Sequence, residues 1–337
     1  MIERGDHMLI LTKAVLATMI GFILSAGLGL VFVPLMRKWK IKQQISKHVG
    51  ERHLKKSGTP TFGGLIFIFA TLITMLLLYI SGRVEYSSNL IIVLIVFGGH
   101  AIIGFVDDYL KVKYANNKGL SRSTKLIFQT LIAIIFFYIY IRSGADPILD
   151  VTALNIHWDL GPFFGLFILF MIVGTSNAVN LTDGLDGLAG GLSGIAFVTY
   201  GLIVWSSPWL AGYEDIAYFA FTLAGSLLGF LLYNTHPAKI FMGDTGSLTL
   251  GATLAAIAIL SGRELLLVIV GGVFVIETLS TFIQIVAIRG FNRRVFKMAP
   301  LHHHFEKLGW EETDIVKLFW TVGLLLTMAA ITYGVWI

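Results

Sequence analysis

Phe163-Phe-Gly-Leu-Phe-Ile-Leu-Phe-Met-Ile-Val-Gly-Thr-Ser-Asn177-Ala-Val-Asn180-Leu-Thr-Asp183-Gly-Leu-Asp186-Gly187 is the stretch whose reading decides the fold of this chain. Its first part is apolar and uncharged over the length that crosses a bilayer. A helix rises about 1.5 Å per residue, so roughly 20 residues span a hydrocarbon layer of about 30 Å. Its last part packs two asparagines, a threonine and two aspartates beside glycines. An apolar span that ends in a polar, acidic turn is therefore the unit to look for elsewhere.

Working outward, runs of the same kind occupy residues 12–36, 61–80, 89–106, 124–141, 187–206, 216–234, 247–261, 264–288 and 315–337, which with 163–180 make ten candidate spans. The run at 247–261 is short for a full crossing and is expected to be tilted, thinned or partly re-entrant. The whole chain of 337 residues is 56% hydrophobic and only 13% charged. An ordinary soluble domain carries about 25% charged residues, so the bilayer is the main solvent here. The expected fold class is an all-α polytopic membrane protein, with residues 1–337 forming a single integral-membrane domain. No connection is long enough to hold a core of its own. With no cysteine, disulfides and thiolate metal sites are excluded. The first apolar run is too long for a cleavable signal peptide. The polar segment Met1–His7 precedes a second methionine, Met8, and carries no functional weight.

The net charge of +5 matters less than where the charges sit. Taking alternate loops, one side of the membrane holds Arg37 to Lys56, Lys111 to Lys125, Lys239 and Arg289 to Lys317. That side collects twenty of the 25 basic residues. Short loops rich in lysine and arginine stay in the cytoplasm, so both termini are expected outside and the basic loops inside.

The acids fall on the same side. Asp107 and Asp108 end the third span, Asp183 and Asp186 follow the fifth, and Asp244 lies between the seventh and eighth. Carboxylates at a hydrocarbon boundary are costly unless paired, and their concentration on one face points to a shared site. Gly184 and Gly187 make the Asp183–Asp186 segment a turn or a broken helix. An EF-hand is excluded, because its full acidic ligand set is missing. In Phe241-Met-Gly-Asp244-Thr-Gly-Ser247, glycines flank a carboxylate beside the N-terminus of the next span, where free N–H groups suit phosphate. Pro300-Leu-His302-His303-His304-Phe-Glu306 offers three imidazoles; adjacent residues rarely converge on one ion, so contact with a pyrophosphate is favoured over zinc. Lysines such as Lys111 are expected in any cytoplasmic loop, but Lys125 abuts the fourth span and is the stronger candidate. Glu277 and His100 lie within spans; a hydrogen bond to a neighbouring element is the simplest role for the first and a structural role for the second. Hard carboxylates without thiols suit Mg2+ and phosphate chemistry.

These residues resemble the polyprenyl-phosphate N-acetylhexosamine-1-phosphate transferases over essentially the whole chain. The motifs run in that family's order: Thr59-Pro-Thr-Phe-Gly-Gly64, Gly104-Phe-Val-Asp-Asp-Tyr109, Asn177 to Gly187, Phe241 to Ser247, and Pro300 to Glu306. The His-His-His form of the last motif matches the muramoyl branch. The resemblance implies transfer of phospho-MurNAc-pentapeptide from UDP-MurNAc-pentapeptide to undecaprenyl phosphate in a bacterial inner membrane, with Mg2+ as cofactor. It also implies a cytoplasmic cleft and a lipid groove near a bent ninth helix. Asp244 matches the magnesium ligand, and Asp107 and Asp108 the paired acids of the catalytic centre, with Lys125, His302 and His303 beside them. Asp186, Phe241 and Lys55 match positions that receive the uridine, lined by Gly184 and Leu185. Thr61, Lys111, Asn180, Asp183, Asn234 and His304 match further polar positions of the cleft. Partners implied are these two substrates and membrane lipid, with a homodimer as the candidate assembly and no nucleic acid. A transporter using the acids as an ion relay is the competing class, but ionisable residues would then line several mid-span positions.

Overall fold

The computed structural model describes residues 3–39, 58–115, 118–151, 156–207, 210 and 212–336. Lys55 and most of the first basic loop lie outside these residues. Helices α1 (Glu3–Lys38), α2 (Gly64–Ile80), α3 (Ser88–Lys113) and α4 (Arg122–Arg142) come first. A two-stranded antiparallel hairpin, β1 (Ile148–Val151) and β2 (Ile156–Asp159), pairs Ile148 with Asp159. Then come α5 (Phe164–Thr182), α6 (Leu188–Trp205), α7 (Tyr213–Asn234) and α8 (Gly243–Leu260). The one-turn α9 (Leu267–Val270), α10 (Gly272–Phe291), the short α11 (Leu301–Lys307) and α12 (Glu312–Trp336) complete the chain.

Among the described residues nine helices are long and apolar enough to cross a membrane, and α2 is a shorter apolar helix of 17 residues. The expected span at 61–80 loses its first residues because Phe62 has a left-handed backbone and the segment before α2 runs alongside the chain at Phe241. There Phe241 donates its N–H to Pro60, while Gly63 donates to the Phe241 carbonyl and Gly64 to that of Met242. The run expected to be short or re-entrant is instead a full helix, α8. It is the least apolar of the nine and among the most buried. Its alanines, glycines, serines and threonines face protein rather than lipid. α8 packs against α3, α5, α2 and α6, and small residues let such backbones approach closely in a membrane. The expected single span at 264–288 is broken at Gly271, between α9 and α10.

Helix ends matter most for the site. α3 does not stop before Asp107 but continues two turns further, to Lys113. Lys111 and Lys113 in its last turn suit the negative end of the helix dipole. At the start of α4, the Ser121 hydroxyl accepts the Thr124 N–H at 3.0 Å, as an N-cap residue does. Below these ends, Gln129 of α4 donates to the Ser176 hydroxyl at 3.0 Å, and Ser176 donates to the Leu248 carbonyl at 3.0 Å. Asn177 donates to Gln129 at 3.3 Å. This chain of hydrogen bonds, buried at Gln129 and Ser176, ties α4, α5 and α8 in register.

Gly104 is where α3 and α8 touch most tightly: a Cβ there would collide with the Asp244 carbonyl. Gly104→Ala is expected to push the two helices apart, costing about 1–3 kcal/mol as overpacking does. Thermal unfolding in detergent checks this, and a melting temperature equal to that of the unaltered protein would refute it.

Candidate active site

Three acids meet where α3 ends and α8 begins. Asp107, Asp108 and Asp244 each bring a carboxylate oxygen within 4.8 Å of the others. Asp108 is buried and spends its oxygens on the N-terminus of α8. Oδ1 accepts the Asp244 N–H at 3.1 Å, and Oδ2 accepts the Thr245 N–H at 2.9 Å and the Thr245 hydroxyl at 2.6 Å. Those N–H groups have no acceptor within their own helix. A carboxylate placed at the positive end of the dipole answers both needs. Gly243, at φ +74°, turns the chain into the helix, and a Cβ there would meet the Asp108 carboxylate.

Asp244 then faces two lysines. Lys125 Nζ lies 2.8 Å from its Oδ2 and Lys111 Nζ 3.0 Å from its Oδ1. The same two ammonium groups hold Asp107, at 3.2 Å from Lys125 and 2.6 Å from Lys111. The Leu120 N–H also donates to Asp107 at 2.7 Å. Lys111 meets Asp107 because the helix continues and sets them four residues apart. Asn180, near the end of α5, donates to Asp244 at 3.1 Å and to Ser247 at 2.7 Å. Asp107 is fully buried, whereas the lysine side chains keep 26% and 23% of their exposure, so the group opens on the lysine side. Three gathered carboxylates without sulfur are the donor type that Mg2+ takes, and the lysines that now pair with Asp107 and Asp244 would have to yield oxygens to such an ion. Asp244 and Asp107 are its better donors, since Asp108 is already spent on backbone.

The acids expected to share one pocket resolve into two groups. Asp186 lies in the second, with His236 and Glu312. Its Oδ2 accepts the Ala238 N–H at 3.0 Å and lies 3.1 Å from His236 Nδ1, and its own N–H donates to Glu312 at 2.7 Å. Asp183 caps the end of α5, half-buried and outside both three-residue groups. The intervening turn is as the glycines imply: α5 ends at Thr182, and Gly187 takes φ +81° before α6. Leu185 is buried beneath it. Asn234 is buried and serves the backbone, accepting the Gly187 N–H at 3.1 Å and donating to the Ile240 carbonyl at 3.0 Å. Thr61 is buried against Gly243, and Phe241 is half-buried beside it.

The three histidines sit on α11, where neighbouring residues point about 100° apart. His302 is buried, with its N–H and Nδ1 on the Glu277 carboxylate at 3.1 and 3.2 Å, and its Nε2 directed at Gly184. His303 Nδ1 lies 2.6 Å from Glu306, and His304 Nδ1 accepts the Lys297 N–H at 3.0 Å. The His302 and His303 rings touch, with centroids 4.2 Å apart, yet each turns its Nδ1 to a different carboxylate. Glu277 thus anchors α11, and His100 is buried against the Val96 carbonyl at 3.0 Å. Sequence reasoning missed His236 and Glu312. Glu311-Glu312 just ahead of the last apolar run was the available signal.

Comparison with known proteins bears on the family of the chain. The profile of Glycosyl transferase family 4 matches residues 89–262, the stretch that carries the three acids and Asp186. A phospho-N-acetylmuramoyl-pentapeptide-transferase of Geobacillus kaustophilus (strain HTA426) is 46% identical over 323 residues, covering 96% of this chain and 98% of that protein. One of Bacillus licheniformis is 44% identical over 328 residues, covering 97% and 100%, and one of Halalkalibacterium halodurans is 44% identical over 329 residues, covering 97% and 99%. With likeness of that extent and the motif residues gathered at one set of helix ends, the chain belongs to Glycosyl transferase family 4, among the phospho-N-acetylmuramoyl-pentapeptide-transferases.

Proposed function

We propose that the protein moves phospho-MurNAc-pentapeptide from UDP-MurNAc-pentapeptide to undecaprenyl phosphate, releasing UMP and forming lipid I for peptidoglycan. The observation that carries this reading is the meeting of Lys111 and Lys125 with Asp107 and Asp244 at the ends of α3, α4 and α8. Two anionic phosphates must approach each other in this reaction, and two ammonium groups at one spot lower that repulsion. The names of the relatives support the donor, as does the His-His-His motif. A transporter is disfavoured because the described ionisable side chains concentrate at helix ends, and Glu277 is already engaged by His302.

In the step we favour, an oxygen of the lipid phosphate attacks the sugar-linked phosphorus of the donor. A new P–O bond forms, the bond to UMP breaks, and UMP leaves with the electron pair. A phosphate monoester has its second pKa near 6 and is already largely a dianion at neutral pH. Asp107, held by a backbone N–H and two ammonium groups, is then suited to orienting the nucleophile rather than to acting as a strong base. Asp244 and Asp107 would hold Mg2+, which when bound offsets charge at the phosphoryl group. The Asp183–Gly187 turn, Phe241 and Lys55 are proposed to receive the uridine; Lys55 lies outside the described residues. Asn180, His302, His303 and His304 are proposed to line the path of the pyrophosphate and sugar. Gly184 and Leu185 are proposed to line the uridine, and Thr61 and Asn234 to be further polar residues of the cleft, Asn234 through its bonds to the Gly187 and Ile240 backbone.

The lysine-rich loops leave from the same helix ends as the site. We therefore place the site on the cytoplasmic face of the inner membrane, both termini outside, within one integral-membrane domain. A homodimer is the assembly to be tested by crosslinking.

Release of UMP from purified protein, given donor and undecaprenyl phosphate, is expected to require both the acceptor and Mg2+; turnover without either overturns the reading. Asp244→Ala is expected to lose at least about 10²–10³-fold in turnover, the scale seen when a charge-stabilising group is removed, while its circular dichroism stays helical. Undiminished turnover of Asp244→Ala would remove it from the site. Exchange of labelled UMP into the donor by lipid-stripped protein would replace direct attack with a phosphoryl-enzyme route. Asp108→Ala is expected to cost stability as well, about 1–3 kcal/mol for backbone donors left without acceptors. An unchanged thermal midpoint would count against its capping role.

A further inference from the structure

We infer that Glu312, in the first turn of α12, is a positioning residue for the nucleotide donor. The inference rests on reading the Asp183–Gly187 turn as donor-binding. That turn joins α5 to α6, and two of its backbone donors find acceptors on other helices. The Gly187 N–H goes to Asn234 of α7 at 3.1 Å, and the Asp186 N–H goes to Glu312 Oε1 at 2.7 Å. The other Glu312 oxygen lies 3.4 Å from His236 Nδ1, which is also 3.1 Å from Asp186 Oδ2. Glu312 therefore grips Asp186 twice, directly through its backbone and indirectly through an imidazole that orients its carboxylate. The Glu312 side chain is 11% exposed and that of Asp186 3%, so water competes weakly for these bonds. Farther along α12, Trp320 donates to the Leu188 carbonyl at 3.3 Å and lies flush against Gly191, which fixes α12 against the start of α6.

The physical consequence is preorganisation. Without Glu312 the turn must be ordered by the donor itself, at a cost paid equally in the ground state and the transition state. A loss of that kind raises KM and leaves kcat alone.

Steady-state kinetics on the full-length protein in detergent, with both substrates varied, test this. Glu312→Ala is expected to raise the donor KM about tenfold, the worth of one buried hydrogen bond to a charged group. The kcat and the KM for undecaprenyl phosphate should stay within about twofold. Glu312→Gln keeps a carbonyl oxygen for the Asp186 N–H and should bring the donor KM back to within about threefold of the starting value. An unchanged donor KM in Glu312→Ala overturns the role. So does a rise that comes with falling kcat and thermal midpoint and is not rescued by glutamine, since that is mere destabilisation. Asp186→Ala separates the two levels. If it leaves the donor KM unchanged, the donor-site reading fails; if it raises the KM while Glu312→Ala does not, only the positioning role falls. Should Glu312→Ala fail to accumulate, His236→Ala decides. His236 is 40% exposed and loses only the bridging contacts, so a donor KM up about threefold is expected and no change overturns the role.

Discussion

The carboxylate of Asp108 on the N-terminus of α8 is the interaction on which the rest of the site depends. An α-helix begins with N–H groups that lack partners inside the helix, and at the edge of a bilayer water is a poor substitute. Asp108 supplies acceptors from a different helix. That bond sets the height and rotation of α8 against α3. Asp244 is the first residue it positions, and so the carboxylate of Asp244 arrives between Lys111 and Lys125. A capping contact that serves folding also aims the group with which the chemistry is concerned.

Charge at a membrane boundary explains why the site is built as a network and not as isolated side chains. A carboxylate near hydrocarbon is tolerable when a cation and a hydrogen-bond donor meet it. Asp107 has two ammonium groups and a backbone N–H, and Asp244 has the same two ammonium groups and the amide of Asn180. Each lysine is shared by two acids, so the positions of α3, α4 and α8 are mutually constrained. Only the lysines keep appreciable exposure, which leaves positive charge at the opening where anionic phosphates would enter.

The helical core serves this arrangement by being thin-walled. α8 gains its place among α2, α3, α5 and α6 because its side chains are small, and Gly104 lets α3 come up to its backbone. Close backbones shorten the distance between the elements that carry Asp107, Asn180 and Asp244. Larger residues would have been more apolar but would have held these groups apart.

What the sequence determined by itself is a matter of solvent and period. Long apolar runs without charge can satisfy their backbone in lipid only as helices, so the all-α architecture was legible, as was the gathering of acids and lysines at one set of helix ends; of the ten expected spans, nine are helices of membrane-crossing length among the described residues and α2 is shorter. Glycines at 184 and 187 marked a true turn. Helix ends were less legible. Hydropathy drops at Asp107, yet α3 runs on to Lys113, because the acids there are paired in three dimensions and the helix has no reason to stop. α8 read as too short because a helix buried in protein need not be greasy. Likewise, the division of the acids into one group with two lysines and another with His236 and Glu312 belongs to the tertiary structure alone. The partners come from helices over a hundred residues apart in the chain, and no local pattern encodes a contact whose cause is the packing of other helices between them.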